Sequence, residues 1–181
     1  MKKALFTLAS VLFCTITFAQ TVPPVIGDFH DGGIVFYLDG NGGGLVCAVS
    51  NLPNSEWGCY DGTTISGADG TAIGTGAQNT IDIENGCTTA NTAADRCANL
   101  TLNGYSDWFL PSKDELYQMY VNMAAINTTA TTNGGSAFAT YYYWSSSEFN
   151  RDYAWIQVFN NGGQGSSDRS STDYVRAVRA F

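Results

Sequence analysis

The chain has 181 residues, with 8 basic residues against 16 acidic ones and a formal net charge of −8 at pH 7. This surplus of negative charge repels nucleic acid and anionic membrane surfaces. The length suits a single globular domain, which at this size buries about 70% of the surface of its unfolded chain. Composition therefore argues against nucleic acid as a partner and favours one acidic domain. Membrane insertion is not predicted, because no apolar segment of spanning length follows the first 19 residues.

The first residues have the pattern of a secretory signal. Lys2 and Lys3 precede an apolar run, residues 4–18, that is too short to span a bilayer. Ala19 supplies a small residue for cleavage, so we predict a signal peptide over residues 1–19 and an exported product. The predicted location is extracellular or at the cell surface, with the periplasm as an alternative. Cleavage would remove two lysines and leave 6 basic against 16 acidic residues, a net charge of −10.

The mature chain is predicted to begin with an extended leader. Residues 20–31 contain two adjacent prolines, so the single domain is predicted to span residues 32–181. Ile34 to Leu38 and Leu45 to Val49 are rich in β-forming residues, and a glycine-rich turn separates them. This arrangement predicts a β-hairpin at the start of the domain.

Four cysteines remain after the signal, an even number that predicts disulfides in an exported protein, and four cysteines allow three connectivities. Residues 51–86 read as a long polar loop, which is uncommon in a compact domain unless it is functional or stapled. Cys59 and Cys87 stand near its ends, so we predict that they form a disulfide. Cys47 and Cys97 lie on predicted inward faces of the hairpin and of the following helix, and we predict a second disulfide between them.

Two helices are predicted in the middle of the chain. Thr88 or Thr89 is predicted to cap the first helix, in which Ala90, Ala93 and Ala94 share one face with Cys97. Ser112 and Glu115 then form the S-x-x-E capping box, in which each side chain satisfies the other residue's backbone amide. This second helix is predicted to fade near Ala125 and to be followed by a polar connector over residues 127–135.

The C-terminal part predicts strands and turns. Strand candidates are residues 141–144, 153–159 and 174–181, and Asn160–Gly163 has the composition of a hairpin turn. The predicted fold class is α+β, with two helices packed on antiparallel hairpins and a long disulfide-stapled loop. Sequence pattern alone leaves several α+β topologies open.

Three separated motifs resemble one bacterial family. They are Gly104–Ser112, Tyr143–Glu148 and Val175–Arg179, and the opening Gly32–Tyr37 matches as well. Over essentially the whole mature chain, the sequence resembles the domain family typified by the C-terminal domain of the Legionella collagen-like adhesin. The resemblance implies a C-type-lectin-like fold, extracellular placement and ligand binding. Homo-oligomerisation is implied by the resemblance alone, and no particular ligand is implied for this chain.

Catalysis is not predicted. His30 is the single histidine and lies in the leader, so no Ser-His-Asp or Cys-His relay can be assembled with confidence. The cysteines are assigned to disulfides, and carboxylate pairs such as Asp82 and Glu84 are expected by chance in an acidic chain. The sequence therefore predicts no catalytic residue, no metal site and no cofactor.

Binding is the function that the C-terminal residues favour. Residues 145–173 mix aromatic side chains with short polar and charged ones, as binding surfaces do. The predicted ligand contacts are Arg151, Tyr153, Asn160, Asn161, Gln164, Asp168 and Arg169. The alternative for these residues is a solvated hairpin tip. For Trp144 and Trp155, a place in the core is favoured over a ligand contact.

The predicted function is an exported, non-catalytic, adhesin-like recognition domain that binds glycan or protein ligands through its C-terminal hairpin loops. By resemblance the ligand would be a sulfated glycosaminoglycan. The net charge of −10 argues against a polyanion, and aspartates are interleaved with the C-terminal arginines. A neutral glycan or a protein surface is therefore the expected ligand. The alternative is a structural or assembly module of the cell envelope with no small ligand.

Overall fold

The computed structural model describes residues 22–181, and the predicted signal peptide lies outside them. The mixture of helices with two sheets confirms the α+β class. In chain order the elements are β1 (Phe29–His30), β2 (Gly33–Leu38), β3 (Gly44–Cys47), β4 (Leu52–Ser55), α1 (Gly76–Gly86), α2 (Ala93–Ala98), α3 (Lys113–Val121), α4 (Met123–Thr132), β5 (Tyr142–Glu148), β6 (Tyr153–Val158), β7 (Gln164–Asp168), β8 (Asp173–Val175) and β9 (Val178–Ala180).

The first sheet has the order β1-β2-β3-β9, with each neighbouring pair antiparallel. The predicted hairpin of β2 and β3 is confirmed. Asp39 organises its turn, because one carboxylate oxygen accepts from the backbone amides of Asn41 at 2.7 Å and Gly43 at 3.0 Å. β1 comes from the segment predicted as a leader, and it pairs with the start of β2.

The first sheet is buried on both faces. Successive side chains of a strand point to opposite faces, and here each face packs into its own core. Ile34 and Leu45 join a cluster that we call the phenylalanine cluster, built around Phe36, Phe109, Phe138 and Phe159. Val35 and Val46 join the tryptophan cluster, built around Trp57, Trp108 and Trp144. Each fully buried side chain of this size contributes about 1.5–3 kcal/mol.

The second sheet has the order β4-β8-β5-β6-β7. β5 and β8 are parallel, with Tyr143 opposite Tyr174, and the other neighbours are antiparallel. The predicted turn at Asn160–Gly163 is confirmed, since it joins β6 to β7. β7 itself was not predicted, because its sequence Gln-Gly-Ser-Ser-Asp carries no apolar alternation. Backbone pairing with β6 makes it a strand.

The predicted capping box is confirmed at the start of α3. Ser112 Oγ accepts from the amide of Glu115 at 3.3 Å, and the amide of Ser112 donates to Glu115 Oε2 at 2.7 Å. The cap of α2 is Thr92 rather than Thr88 or Thr89, and its side chain accepts from the amide of Asp95 at 3.2 Å. Both helices therefore begin where a hydroxyl can satisfy an otherwise unpaired amide.

The connector predicted over residues 127–135 is wrong, because α4 extends to Thr132. Threonine side chains on this helix donate hydrogen bonds to backbone carbonyls of the preceding turn. For example, the hydroxyl of Thr128 donates to the carbonyl of Ala124 at 3.0 Å. Ile126 and Ala130 bury its inner face in the phenylalanine cluster. Within residues 22–181, no helix is both long enough and apolar enough to cross a membrane.

The long loop predicted over residues 51–86 is also interrupted, by β4 and by α1. α1 buries Asn79 and Thr80 as well as Ile83, so its inward face lacks the apolar periodicity of a typical helix. The Asn79 amide nitrogen donates to Gly70 O at 2.6 Å, and Thr80 Oγ donates to Gly76 O at 2.8 Å. These hydrogen bonds satisfy the polar side chains that the inward face of α1 buries.

The Cys59–Cys87 disulfide is confirmed, with the two Cα atoms 5.2 Å apart. The predicted Cys47–Cys97 disulfide is wrong, since both cysteines are free and buried. Cys47 points from β3 into the phenylalanine cluster, whereas Cys97 on α2 packs in the tryptophan cluster. The two thiols therefore belong to cores on opposite faces of the first sheet. Burial raises the pKa of Cys47 to about 12, so its thiol is neutral.

Candidate functional site

The predicted contact residues separate into two groups at opposite ends of the β6–β7 hairpin. The strand register places Tyr153 opposite Asp168, and Arg151 lies in the preceding turn. Gln164 and the Asn160–Gly163 turn lie at the other end of the hairpin. At roughly 3.3 Å per residue, the length of β6 separates the groups by about 17 Å. The residues therefore do not form one compact site.

At the first end, local partners occupy most of the polar groups. Arg151 Nε pairs with Asp152 Oδ2 at 3.2 Å. Asp168 Oδ1 accepts from the hydroxyl of Ser170 at 2.7 Å and from its amide at 2.9 Å, and these bonds lower the pKa of Asp168. Tyr153 and Phe149 remain exposed. This end consequently offers aromatic surface more than free charge.

Arg169 is not available as a ligand contact, which corrects the prediction. Its side chain is fully buried. One terminal nitrogen, Nη1, donates to the carbonyls of Thr63 and Arg151, both at 2.9 Å, and lies 3.2 Å from Glu148 Oε1. The other, Nη2, donates to the carbonyl of Cys59. Arg169 therefore fastens the disulfide loop to the hairpin.

Arg176 and Arg179, in the last motif of the sequence, are also structural. Arg176 donates to Asn51 Oδ1 at 2.8 Å, to Ala48 O at 2.8 Å and to Ser136 O at 2.9 Å. Arg179 makes a two-pronged pair with Asp107, at 2.7 and 2.9 Å, which lowers the pKa of that carboxyl. Neither guanidinium is presented to solvent, since both residues are buried.

The remaining basic side chains have partners too. Arg96 Nε donates to Ser55 Oγ at 2.6 Å. Lys113 Nζ lies 3.5 Å from Asp114 Oδ1 and 5.0 Å from the centre of the Trp155 ring. Each of the six basic residues between positions 22 and 181 therefore has a polar partner within this chain, and for Arg151 and Lys113 that partner is the adjacent aspartate.

A cleft opens where β4, β8 and β5 meet, at one end of the second sheet. Its cavity is about 320 Å³ and we call it the tyrosine cleft; its lining is Asn54, Tyr141, Tyr142, Thr172, Asp173 and Tyr174. The register that builds it places Ser55 opposite Asp173 and Tyr143 opposite Tyr174. Strand pairing therefore brings residue 54 beside residues 141–142 and 172–174.

The aromatic wall of the tyrosine cleft is ordered by stacking. The rings of Tyr141 and Tyr174 are nearly parallel, at 11°, with centroids 5.8 Å apart. Tyr174 stacks in turn on the buried Tyr143, at 5.1 Å. Tyr141 is 63% exposed and Tyr142 is 49% exposed. The cleft thus presents open aromatic surface that is fixed to the core.

The polar groups of the cleft include one incompletely satisfied carboxylate. Asp173 Oδ2 is buried and has no hydrogen-bond partner among the described residues. Burial raises the pKa of this carboxyl, and the side chain of Ser167 partly offsets the effect. The predicted contacts Asn160 and Asn161 lie at the same end of the sheet, because the amide of Phe159 donates to Tyr141 O at 3.0 Å.

Sequence reasoning missed the tyrosine cleft, although one signal was present. Tyr141, Tyr142 and Tyr143 are consecutive in the predicted strand 141–144, so they were not expected all to point to the same face. That alternation exposes at least one tyrosine when the other face is core. No local pattern indicates that Asn54 and Asp173 would join them.

A second cavity, of about 450 Å³, lies between α1 and the segment around Trp108. We call it the apolar cleft; Ala77, Ile81, Ala98 and Phe109 are among its lining residues. Glu84 borders it, and burial together with the nearby Asp95 raises the pKa of that carboxyl. Across residues 22–181, no group of three His, Cys, Asp or Glu residues is placed to hold a metal ion.

The sequence profile of the Lcl C-terminal domain family matches residues 62–179. The chain belongs to this family. The matched segment contains the capping box, the three motifs quoted above and most of the tyrosine cleft. No curated protein matches this Lcl C-terminal domain.

Among solved structures, this Lcl C-terminal domain is similar to a fimbrial protein from Bacteroides ovatus, with 16% sequence identity and a TM-score of 0.50. The similarity covers 75% of this chain and 35% of that chain, so it spans about a third of the fimbrial protein's length. At this identity the likeness concerns the fold alone. The C-type-lectin-like topology stays a prediction.

Proposed function

We propose that this Lcl C-terminal domain is an exported, non-catalytic recognition domain, adhesin-like in role, whose ligand is a neutral glycan or a protein surface. The observation that carries the proposal is the commitment of every described basic side chain to a partner within the chain. Family membership and the fimbrial neighbour support a location outside the cell or on its surface.

Charge is the reason to favour an uncharged ligand. Polyanion binding relies on arginine or lysine groups that are free to make charge-assisted hydrogen bonds. The most exposed arginine, Arg151, already pairs with Asp152, and Arg169, Arg176 and Arg179 are buried. The net negative charge of the chain repels a polyanion, although fields decay over about 8 Å at physiological salt.

The binding surface in this proposal is the end of the second sheet that carries the tyrosine cleft and the Asn160–Gly163 turn. Exposed tyrosines supply rigid contact area, and Asn160, Asn161 and Gln164 supply adaptable hydrogen bonds. Arg151, Tyr153 and Asp168 form a separate surface at the other end of the hairpin. They are the contacts for a ligand that extends along β6 and β7.

Heparin chromatography tests the charge argument. We expect the purified domain to elute below physiological salt, and a glycan array to show saturable binding to uncharged glycans. Asp152→Asn is a sensitive comparison, because it frees Arg151 and should move elution to slightly higher salt. Retention of the wild type well above physiological salt would overturn the neutral-ligand proposal.

A structural or assembly module of the cell envelope is the second candidate. The apolar cleft favours it, because Ile81 at its rim is 53% exposed and most of the exposed surface of the cavity is apolar. In this case a second copy of the chain would cover the cleft. Sedimentation velocity is the test: self-association that Ile81→Asp abolishes supports assembly, and a concentration-independent monomer excludes it.

A further inference from the structure

We infer that the tyrosine cleft is a binding subsite for a pyranose unit of a neutral saccharide, an inference that rests on the proposed function. Its cavity of about 320 Å³ falls at the lower end of the range of about 300–1,000 Å³ for small-molecule sites. That size suits one or two sugar rings of a longer chain whose remaining units lie outside the cleft.

The stacked tyrosines form a platform for the apolar face of a sugar ring. Tyr174 covers one face of the Tyr141 ring and is itself backed by Tyr143, so the platform is fixed from the core outward. The other face of Tyr141 is open, consistent with its 63% exposure. Because the ring is already ordered, a ligand that stacks on it loses little conformational entropy from the protein.

Polar groups around the platform match the hydroxyls of a sugar. Asn54 offers an amide and Thr172 a hydroxyl, and both residues are exposed beside the cleft. Asp173 adds a carboxyl group to the lining, although one of its oxygens, Oδ2, is buried. A small set of polar groups around an apolar wall is the usual composition of a small-molecule site.

Charge at the cleft selects against sulfated and carboxylated sugars. The lining contains one carboxylate, that of Asp173, and no basic side chain. A sulfate or carboxylate placed there would meet a like charge with no cation to balance it, whereas sugar hydroxyls can donate to the carboxylate. The same lining therefore accepts a neutral pyranose and rejects an acidic one.

Stability does not account for this arrangement. Tyr143 and Phe159 already fill the adjacent core and are almost completely buried. Tyr141 and Tyr142 leave much of their surface in water, so burial contributes little to keeping aromatic rings at these positions. Large apolar side chains that are left exposed together often mark a binding site.

The test measures binding of maltohexaose, cellohexaose and chitohexaose by isothermal titration calorimetry, with a heparin hexasaccharide as the charged comparison. We expect the wild type to bind at least one neutral hexasaccharide and Tyr141→Ala to weaken that binding at least tenfold. Tyr141→Phe should retain it, because the ring is kept. Tyr117→Ala is the matched control, since Tyr117 is an exposed tyrosine on α3 that does not line the cleft.

Thermal melting of each variant establishes that it is folded, and the outcomes separate the two proposals. Neutral-sugar binding that Tyr141→Ala leaves unchanged overturns the cleft as the subsite, while the proposed function stands. Failure of the wild type to bind any of the three neutral hexasaccharides also overturns the subsite. Binding of the heparin hexasaccharide in preference to them overturns the charge argument of the proposed function itself.

Discussion

Arg169 packs against the tryptophan cluster and Arg176 against the phenylalanine cluster, and these two buried guanidinium groups have different kinds of partner. Arg169 stacks on Trp57 and has a carboxylate partner in Glu148. Arg176 stacks on Phe138, and no ion pair to it is found within residues 22–181; its donors go to two carbonyls and an amide oxygen. A buried guanidinium can thus be held by a counter-ion or by dipoles alone.

Burial lowers the pKa of both arginines, and nearby groups oppose that effect. Because the guanidinium group is not deprotonated in proteins at neutral pH, both side chains stay charged. Glu148 and Arg176 belong to two of the motifs by which the sequence resembles its family. The comparison assigns these motif residues to the interior of the domain rather than to a ligand.

The largest expected effect comes from removing the arginine that has no counter-ion. Arg176→Met leaves Ala48 O, Ser136 O and Asn51 Oδ1 without donors. The bond to Ala48 O is buried and the other two are partly buried. At about 1–3 kcal/mol for each unsatisfied acceptor, we expect a total loss of about 4–6 kcal/mol. Urea denaturation measures it. Arg151→Met, which breaks an exposed pair, is the control and should cost less than about 1 kcal/mol.

A urea midpoint of Arg176→Met close to that of the wild type would contradict this expectation, because the three hydrogen bonds of Arg176 would then contribute no net stability.

Removing the counter-ion of the other arginine should cost somewhat less. Glu148→Ala leaves Arg169 buried without a carboxylate and takes an acceptor from the amide of Ile65, so we expect a loss of about 3 kcal/mol. Glu148→Gln is the matched variant, because it keeps an acceptor for Ile65 and removes only the charge. Equal losses in both variants would assign the effect to charge; a loss in the alanine variant alone would assign it to the hydrogen bond.

The pH dependence of these variants tests the same pair. Burial raises the pKa of Glu148, more than its neighbours lower it. The folded state therefore favours the protonated carboxyl of Glu148. The stability that this preference contributes is fully present below the pKa of Glu148 in the unfolded chain, and it is lost as pH rises through the pKa of Glu148 in the folded state. We expect the stability of the wild type relative to Glu148→Gln to fall from mildly acidic to neutral pH. The opposite slope would mean that Arg169 dominates the titration of Glu148.

Loss of the disulfide sharpens the contrast between the clusters, because only the tryptophan cluster contains it. Replacing Cys59 and Cys87 together by alanine should cost about 2–4 kcal/mol, largely through the unfolded chain. Hydrogen exchange should quicken first around the tryptophan cluster. If hydrogen exchange quickened equally in both clusters, the disulfide would not stabilise the tryptophan cluster in particular, contrary to this prediction.

Thiol titration gives the control for the disulfide prediction. The native protein should show no reactive thiol, since Cys47 and Cys97 are buried. Unfolding without a reductant should reveal both of them.

The smallest expected effect comes from the helix that covers the phenylalanine cluster. Ser112→Ala removes the cap of α3 and should cost about 1 kcal/mol. The Ala72 carbonyl also loses the Ser112 hydroxyl, but Ala72 is exposed and water can replace that bond. Thr92→Ala removes the corresponding cap of α2, beside the tryptophan cluster. Thermal melts of the two variants should agree to within a few degrees, and a much larger effect at Ser112 would show that the caps are not equivalent.

Features that depend on neighbours in the chain could be predicted from the sequence. The β2–β3 hairpin, the Asn160–Gly163 turn and the capping box of α3 each follow from side chains a few residues apart. The Cys59–Cys87 disulfide was predictable because a long polar segment needed closing. Exposure of Tyr153, Asn160 and Asn161 also follows from composition, whereas their use as ligand contacts stays a prediction.

The features that could not be predicted depend on contacts between distant residues. α1 buries Asn79 and Thr80 beside Ile83, and hydrogen bonds to Gly70 O and Gly76 O satisfy these two polar side chains, whereas α4 buries Ile126 and Ala130 in a segment otherwise rich in threonine. The Cys47–Cys97 prediction failed because it assigned an inward face to each cysteine without knowing that the first sheet separates two cores.

For the candidate site, the sequence alone determined which residues are polar, aromatic or charged, and tertiary structure decided which of them meet. Arg169 resembles its exposed neighbours in composition, yet partners far away in the chain, such as Thr63 and Cys59, draw it into the interior. The tyrosine cleft exists because β4 pairs with β8 and β8 with β5. The β4–β8 pairing joins segments that lie more than a hundred residues apart. It leaves no local signal in the sequence, because the backbone hydrogen bonds that form it do not depend on which side chains the strands carry.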